Sequence, residues 1–90
     1  MPYINKTQRA ELHSVGNLDA IIEELLKTEN NEGALNYVIS TLLSRIVQTD
    51  CNYATINKLI GVLECAKLEL YRRIAVPYED SKLNVNGDVY

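Results

Sequence analysis

Apolar residues recur at helical spacing along most of the chain, and the longest such run is Cys51 to Val76, CNYATINKLIGVLECAKLELYRRIAV. It holds no proline and one glycine, so nothing inside it interrupts a helix of about 39 Å. Stepping about 100° per residue places Ile56, Leu59, Ile60, Leu63, Leu70 and Ile74 on one broad apolar arc. Tyr53, Asn57, Glu64 and Tyr71 fall beside that arc, and Lys67 falls inside it, three residues after Glu64 and within its reach. Ala54, Gly61 and Cys65 form a second stripe, small enough for another helix backbone to approach closely. Thr55, Lys58, Glu69 and Arg73 mostly face away, toward solvent.

The remaining elements follow from the same pattern. Met1 to Ile4 is a short lead with Tyr3 and Ile4 as apolar anchors. Asn5 with Gln8 three residues on resembles a capping box and predicts a short helix from Lys6 to Ser14, ended at Val15-Gly16. Asn17 is placed to cap a second helix, Leu18 to about Glu29, with Leu18, Ile21, Ile22, Leu25 and Leu26 as its stripe. After the polar loop TENNEG, a third helix runs from about Gly33 to Gln48, its start marked by Asn31 or Glu32. Its residues Leu35, Val38, Ile39, Leu42, Leu43, Ile46 and Val47 cover close to half the circumference, more than one neighbour can bury.

Asp50 or Asn52 caps the long fourth helix, which Pro77 is expected to stop near Val76. The tail PYEDSKLNVNGDVY, with Asn86-Gly87 as its turn signal, then reads as irregular. Its residues Tyr78, Leu83, Val85, Val89 and Tyr90 are spaced either to lie back on the helices or to leave a free terminus. The fold class is therefore all-α: a small helical bundle of three main helices, a short N-terminal helix and an irregular C-terminal tail. Residues 1–90 read as a single domain, with 1–16 as lead and short helix and 77–90 as tail.

Composition narrows the function classes. A formal charge of −3 disfavours a general grip on extended nucleic acid or an anionic membrane. No stretch approaches 18 uninterrupted apolar residues, and the N-terminus has no run suited to a signal peptide, so a cytoplasmic location is expected. Cys51 and Cys65 stand about 21 Å apart on one helix and cannot bridge each other. With a single histidine, His13, a zinc site has too few ligands, and no cofactor is implied.

Two constellations carry chemistry. Tyr53, Asn57, Glu64, Lys67 and Tyr71 offer phenol rings, an amide and a carboxylate to a polar ligand, or else satisfy one another at a helix or subunit interface. Arg72 and Arg73 can hold a phosphate between two guanidiniums. Equally, they can serve the helix C-terminus and pair with a tail carboxylate such as Glu79 or Asp80. A carboxylate metal site from Glu23, Glu24, Glu64 and Glu69 would make a metal-dependent nucleotide hydrolase, but no glutamate here has the histidine three residues on that helical metal sites use. No phosphate-binding glycine loop and no Cys-x-x-Cys is present.

The strings GALNYVIS, YATINKLIGVLECAKLELYRR and PYEDSKLNVNGDVY resemble a family of small uncharacterised helical proteins from phages and bacteria. The resemblance runs from about Gly33 to Tyr90 and is most specific in the ending Tyr-Glu-Asp…Asn-Gly-Asp-Val-Tyr. It implies a compact, phage-borne helical protein and brings no activity with it. Together with the missing catalytic set, it leads to a non-enzymatic binding protein that sequesters a nucleotide-like ligand or inhibits a host defence component. A protein–protein adaptor is the first alternative and the hydrolase the second. The half-apolar third helix and the small-residue stripe lead to a homo-oligomer, dimer or higher, as the expected assembly.

Overall fold

A computed structural model describes residues 4–90, and the Tyr3 anchor lies outside them. The chain is all-α: three main helices and a short N-terminal one, with no strand among the described residues. These residues fall into two compact units that meet between Thr49 and Asp50.

The first unit holds α1 (Lys6–Ser14), α2 (Leu18–Lys27) and α3 (Asn31–Thr49). Helix α1 starts where its capping box requires. The Asn5 side chain accepts from the Gln8 amide at 2.8 Å, and the Asn5 amide donates back to Gln8 Oε1 at 3.0 Å. It ends in a tight turn in which the Gly16 amide donates to the Glu11 carbonyl at 2.8 Å. A Cβ on Gly16 would lie 2.7 Å from the Leu12 carbonyl oxygen, so the turn requires glycine there. Asn17 does not cap α2 through its side chain as its position suggested. It takes the left-handed conformation instead, φ 60°, which asparagine tolerates better than most residues. Helix α2 stops at Lys27, two residues short of the sequence expectation, where the Thr28 hydroxyl donates to the Glu24 carbonyl at 2.7 Å. Asn30 then accepts from the Gly33 amide and opens α3.

Within this unit α1 touches α2 and α2 touches α3. Leu25, Val38 and Ile39 are half-buried, whereas Leu26, Leu35, Leu42 and Ile46 stay exposed, Leu42 at 57%. Apolar grooves open between α2 and α3, lined by Ile22, Leu26 and Leu35 on one side and by Ile21, Ala34 and Val38 on the other.

The second unit is one long helical rod in three parts. Helix α4 (Tyr53–Leu70) is capped by Asn52, whose side chain accepts from the Thr55 amide at 2.9 Å and donates to Asp50 at 2.8 Å. A single π turn, Tyr71–Ala75, follows, in which the Val76 amide reaches five residues back to the Tyr71 carbonyl. Helix α5 (Val76–Asn86) completes the rod and ends at Gly87, whose φ of +83° only glycine adopts readily.

The helix therefore does not stop near Val76, and residues 77–86 are not irregular. Proline inside an α-helix lacks the amide for its i−4 bond and presses its ring on that carbonyl. Here the wider π turn lies just before Pro77, and the proline occupies the first turn of α5, where a missing amide costs little. Only the last four residues, from Gly87, leave the helix.

None of the described residues is buried. On the rod, Ile56 and Leu59 are half-buried, while Ile60, Leu70 and Ile74 are 59%, 61% and 62% exposed. No helix among the described residues is long and apolar enough to cross a membrane.

Candidate functional site

All seven residues singled out as ligand-binding lie on the rod, but one chain does not gather them. Tyr53 and Arg73 are about 30 Å apart along the helix axis, and Asn57 and Tyr71 about 21 Å. Tyr53 is highly exposed at the N-terminal end. One turn further on, Asn57 is exposed as well. Midway, the Lys67 ammonium pairs with Glu64 at 3.2 Å, the i,i+3 pairing expected from their spacing.

The π turn is where polar groups converge. Arg72 Nη2 donates to Glu69 Oε1 at 2.6 Å, and Arg73 Nε donates to Glu69 Oε2 at 2.7 Å, so one carboxylate holds both guanidiniums. The hydrogen bond from Arg72 leads in holding the Glu69 carboxyl below its ordinary value near 4.5. The charge of Arg72 and the bond and charge of Arg73 add to it, and partial desolvation opposes it. Across the same turn the Tyr71 hydroxyl donates to Glu79 Oε1 at 3.4 Å, a long bond that ties α5 back over the widened helix. Also on α5, Lys82, four residues after Tyr78, sits 5.6 Å from the centre of the Tyr78 ring, within cation–π range.

Glu69 and Arg73, both expected to face solvent, are members of this cluster, and Glu69 was not among the candidate ligand residues. The signal was present, because a glutamate three and four residues before two arginines is the favourable helical arrangement. His13 also proves to have a partner. Its Nδ1 lies 2.7 Å from Asp19 Oδ1, joining α1 to α2 across the Gly16 turn.

Among the described residues no three His, Cys, Asp or Glu side chains cluster as metal ligands would. Glu64 and Glu69 are instead bound to Lys67 and the two arginines. Cys51 and Cys65 are both free.

Fold and site together define a small all-α protein whose polar groups form ion-paired clusters along an open helical rod. The chain belongs to the DUF6899 family, a domain of unknown function whose model matches residues 1–89. No curated protein and no solved structure matches it.

Proposed function

We propose that this chain is a non-enzymatic binding protein that sequesters or blocks a second molecule by laying helix surface against it. One observation carries the reading: no described residue is buried, yet α2, α3 and the rod each present a run of large apolar side chains. Such surface gains free energy only when something covers it, at roughly 25 cal/mol for each Å² removed from water. Reaction chemistry would call instead for a gathered set of acid, base or nucleophile, and the rod's Glu64 and Glu69 are spent in ion pairs.

A small-ligand form of the reading is favoured by the π turn. Tyr71, Arg72 and Arg73 lie within one turn, and Glu69 already occupies both guanidiniums in the way an anion would. A phosphorylated, nucleotide-like ligand entering there would replace that carboxylate, and a tyrosine ring is at hand for its base. For a phage-borne chain in a host cytoplasm, the two forms would be capture of a nucleotide signal and blocking of a host defence protein.

Native mass spectrometry of the chain, before and after exposure to a mixture of ribonucleoside mono- and triphosphates, tests the small-ligand form. A reproducible adduct that disappears in Tyr71→Ala and Arg72→Ala chains of unchanged helix content is the expected result. An adduct that survives both substitutions places the ligand elsewhere, and no adduct at all refutes the small-ligand form.

A further inference from the structure

The apolar seam of the rod has a symmetry of its own. Ile56, Ile60, Leu63, Lys67, Leu70 and Ile74 are spaced 4, 3, 4, 3, 4, the alternation by which two helices interlock over a seven-residue repeat. The series reads identically from either end, with Cys65 at its centre. The π turn keeps the last step in line, because four residues make nearly one turn of the wider spiral and Ile74 stays above Leu70.

We infer that two copies of this chain pair antiparallel along this seam, about a two-fold axis at Cys65. In that register Ile56 meets the second copy's Ile74, Ile60 meets its Leu70, and Leu63 meets its Lys67. The choice of direction rests on Lys67. Parallel, in-register pairing would set the two Lys67 ammoniums against each other in the middle of an apolar seam, a like-charge contact removed from water. Antiparallel pairing separates them by about one helical turn and puts each beside the second copy's Glu64. The Glu64–Lys67 pair seen within one chain then becomes half of an alternating ring of four charges. A lone lysine in a seam position costs stability and specifies direction, and here its compensating carboxylate is already in place.

Pairing also completes what one chain leaves scattered. Asn57 of one copy comes level with Arg73 of the other and within about 3 Å of the level of its Tyr71, Tyr53 comes level with its Pro77, and the two-fold axis makes two such ends. This composite site rests on the small-ligand reading above, whereas the pairing itself needs no ligand.

The test is disulfide trapping of the full chain in a Cys51→Ser/Cys65→Ser background. Chains carrying Ile60→Cys are mixed with chains carrying Leu70→Cys, one of them tagged to shift its mass, and oxidised gently. The expected product is the mixed disulfide, with little of either homodisulfide. Dominant homodisulfides mean parallel pairing and overturn the inference, as does a wild-type chain that light scattering finds monomeric.

A second measurement guards against loss of fold in the cysteine variants. Lys67→Glu, which gathers four carboxylates at the axis, should raise the dimer dissociation constant roughly tenfold or more. Lys67→Leu should lower that constant and admit parallel pairs. An unchanged constant in Lys67→Glu refutes the register. Capture of a nucleotide by a chain that stays monomeric overturns the pairing alone, whereas a trapped antiparallel dimer that takes up no nucleotide overturns the ligand reading alone.

Discussion

Replacing Gly61 by alanine isolates one physical term on the rod. Gly61 sits inside α4, and a Cβ built on it meets no other heavy atom within 4 Å. Steric cost is therefore absent, and what remains is backbone entropy. Glycine in a helix interior is about 1 kcal/mol less favourable than alanine. For a domain of this length about 1 kcal/mol moves the midpoint of thermal unfolding by roughly 4–8 °C. Melting followed by circular dichroism at 222 nm should show that rise, and urea titration should show a higher midpoint at unchanged slope. Gly61 lies off the seam at Ile60 and Leu63, so the dimer dissociation constant should not move. An unchanged or lower midpoint would refute the reasoning. It would mean that a helix backbone covers Gly61 in solution and that Ala54, Gly61 and Cys65 line a close contact. Gly61→Leu separates the cases, because leucine is nearly as good a helix former as alanine but far bulkier.

Two further outcomes follow from the caps and ion pairs. Asn52→Ala removes the acceptor for the Thr55 amide and should cost about 1 kcal/mol, read as a lower urea midpoint, with Asn52→Asp restoring most of it. The Glu69 carboxyl is held below its ordinary value, so its contribution is fully present above about pH 4.5 and is lost as pH falls through the lower folded value. An acid titration of helix content should show a step below pH 4.5 that is missing in Glu69→Gln, and identical titrations would rule out the arginine clamp in solution.

What the sequence disclosed was what neighbours along the chain decide. The Asn5–Gln8 box marks α1 from Lys6 to Ser14, because a cap and its partner lie three residues apart and require nothing distant. Asn52 and the Glu64–Lys67 pair are legible for the same reason. The reading failed where a local rule met an accommodation it does not contain. Pro77 ends an ordinary α-helix, but a π turn that ends two residues earlier removes the clash, and nothing in the apolar spacing marks that turn. Asn17 signals a helix start equally as a side-chain cap and as a residue tolerant of positive φ, and the structure uses the second. Tyr53, Asn57, Glu64 and Tyr71 share one side of the rod, as the helical projection requires, yet a projection along the axis hides the roughly 27 Å from Tyr53 to Tyr71 and leaves Arg73 on another side.

The π turn has a consequence for how the rod can vary. A turn that closes over five residues instead of four carries one residue more than the regular spiral, so everything after it is out of phase with everything before. Deleting a single residue between Tyr71 and Ala75 would let the helix close regularly and swing the stretch from Tyr78 to Val85 by about 100° about the axis. Pro77 would then press on a regular turn and resist the change. The proline and the extra residue thus hold each other in place, as a latch that fixes which way the last third of the rod points. A family member lacking one without the other should be bent or frayed at this point, and one lacking both should present a different side of its C-terminal helix to whatever it meets.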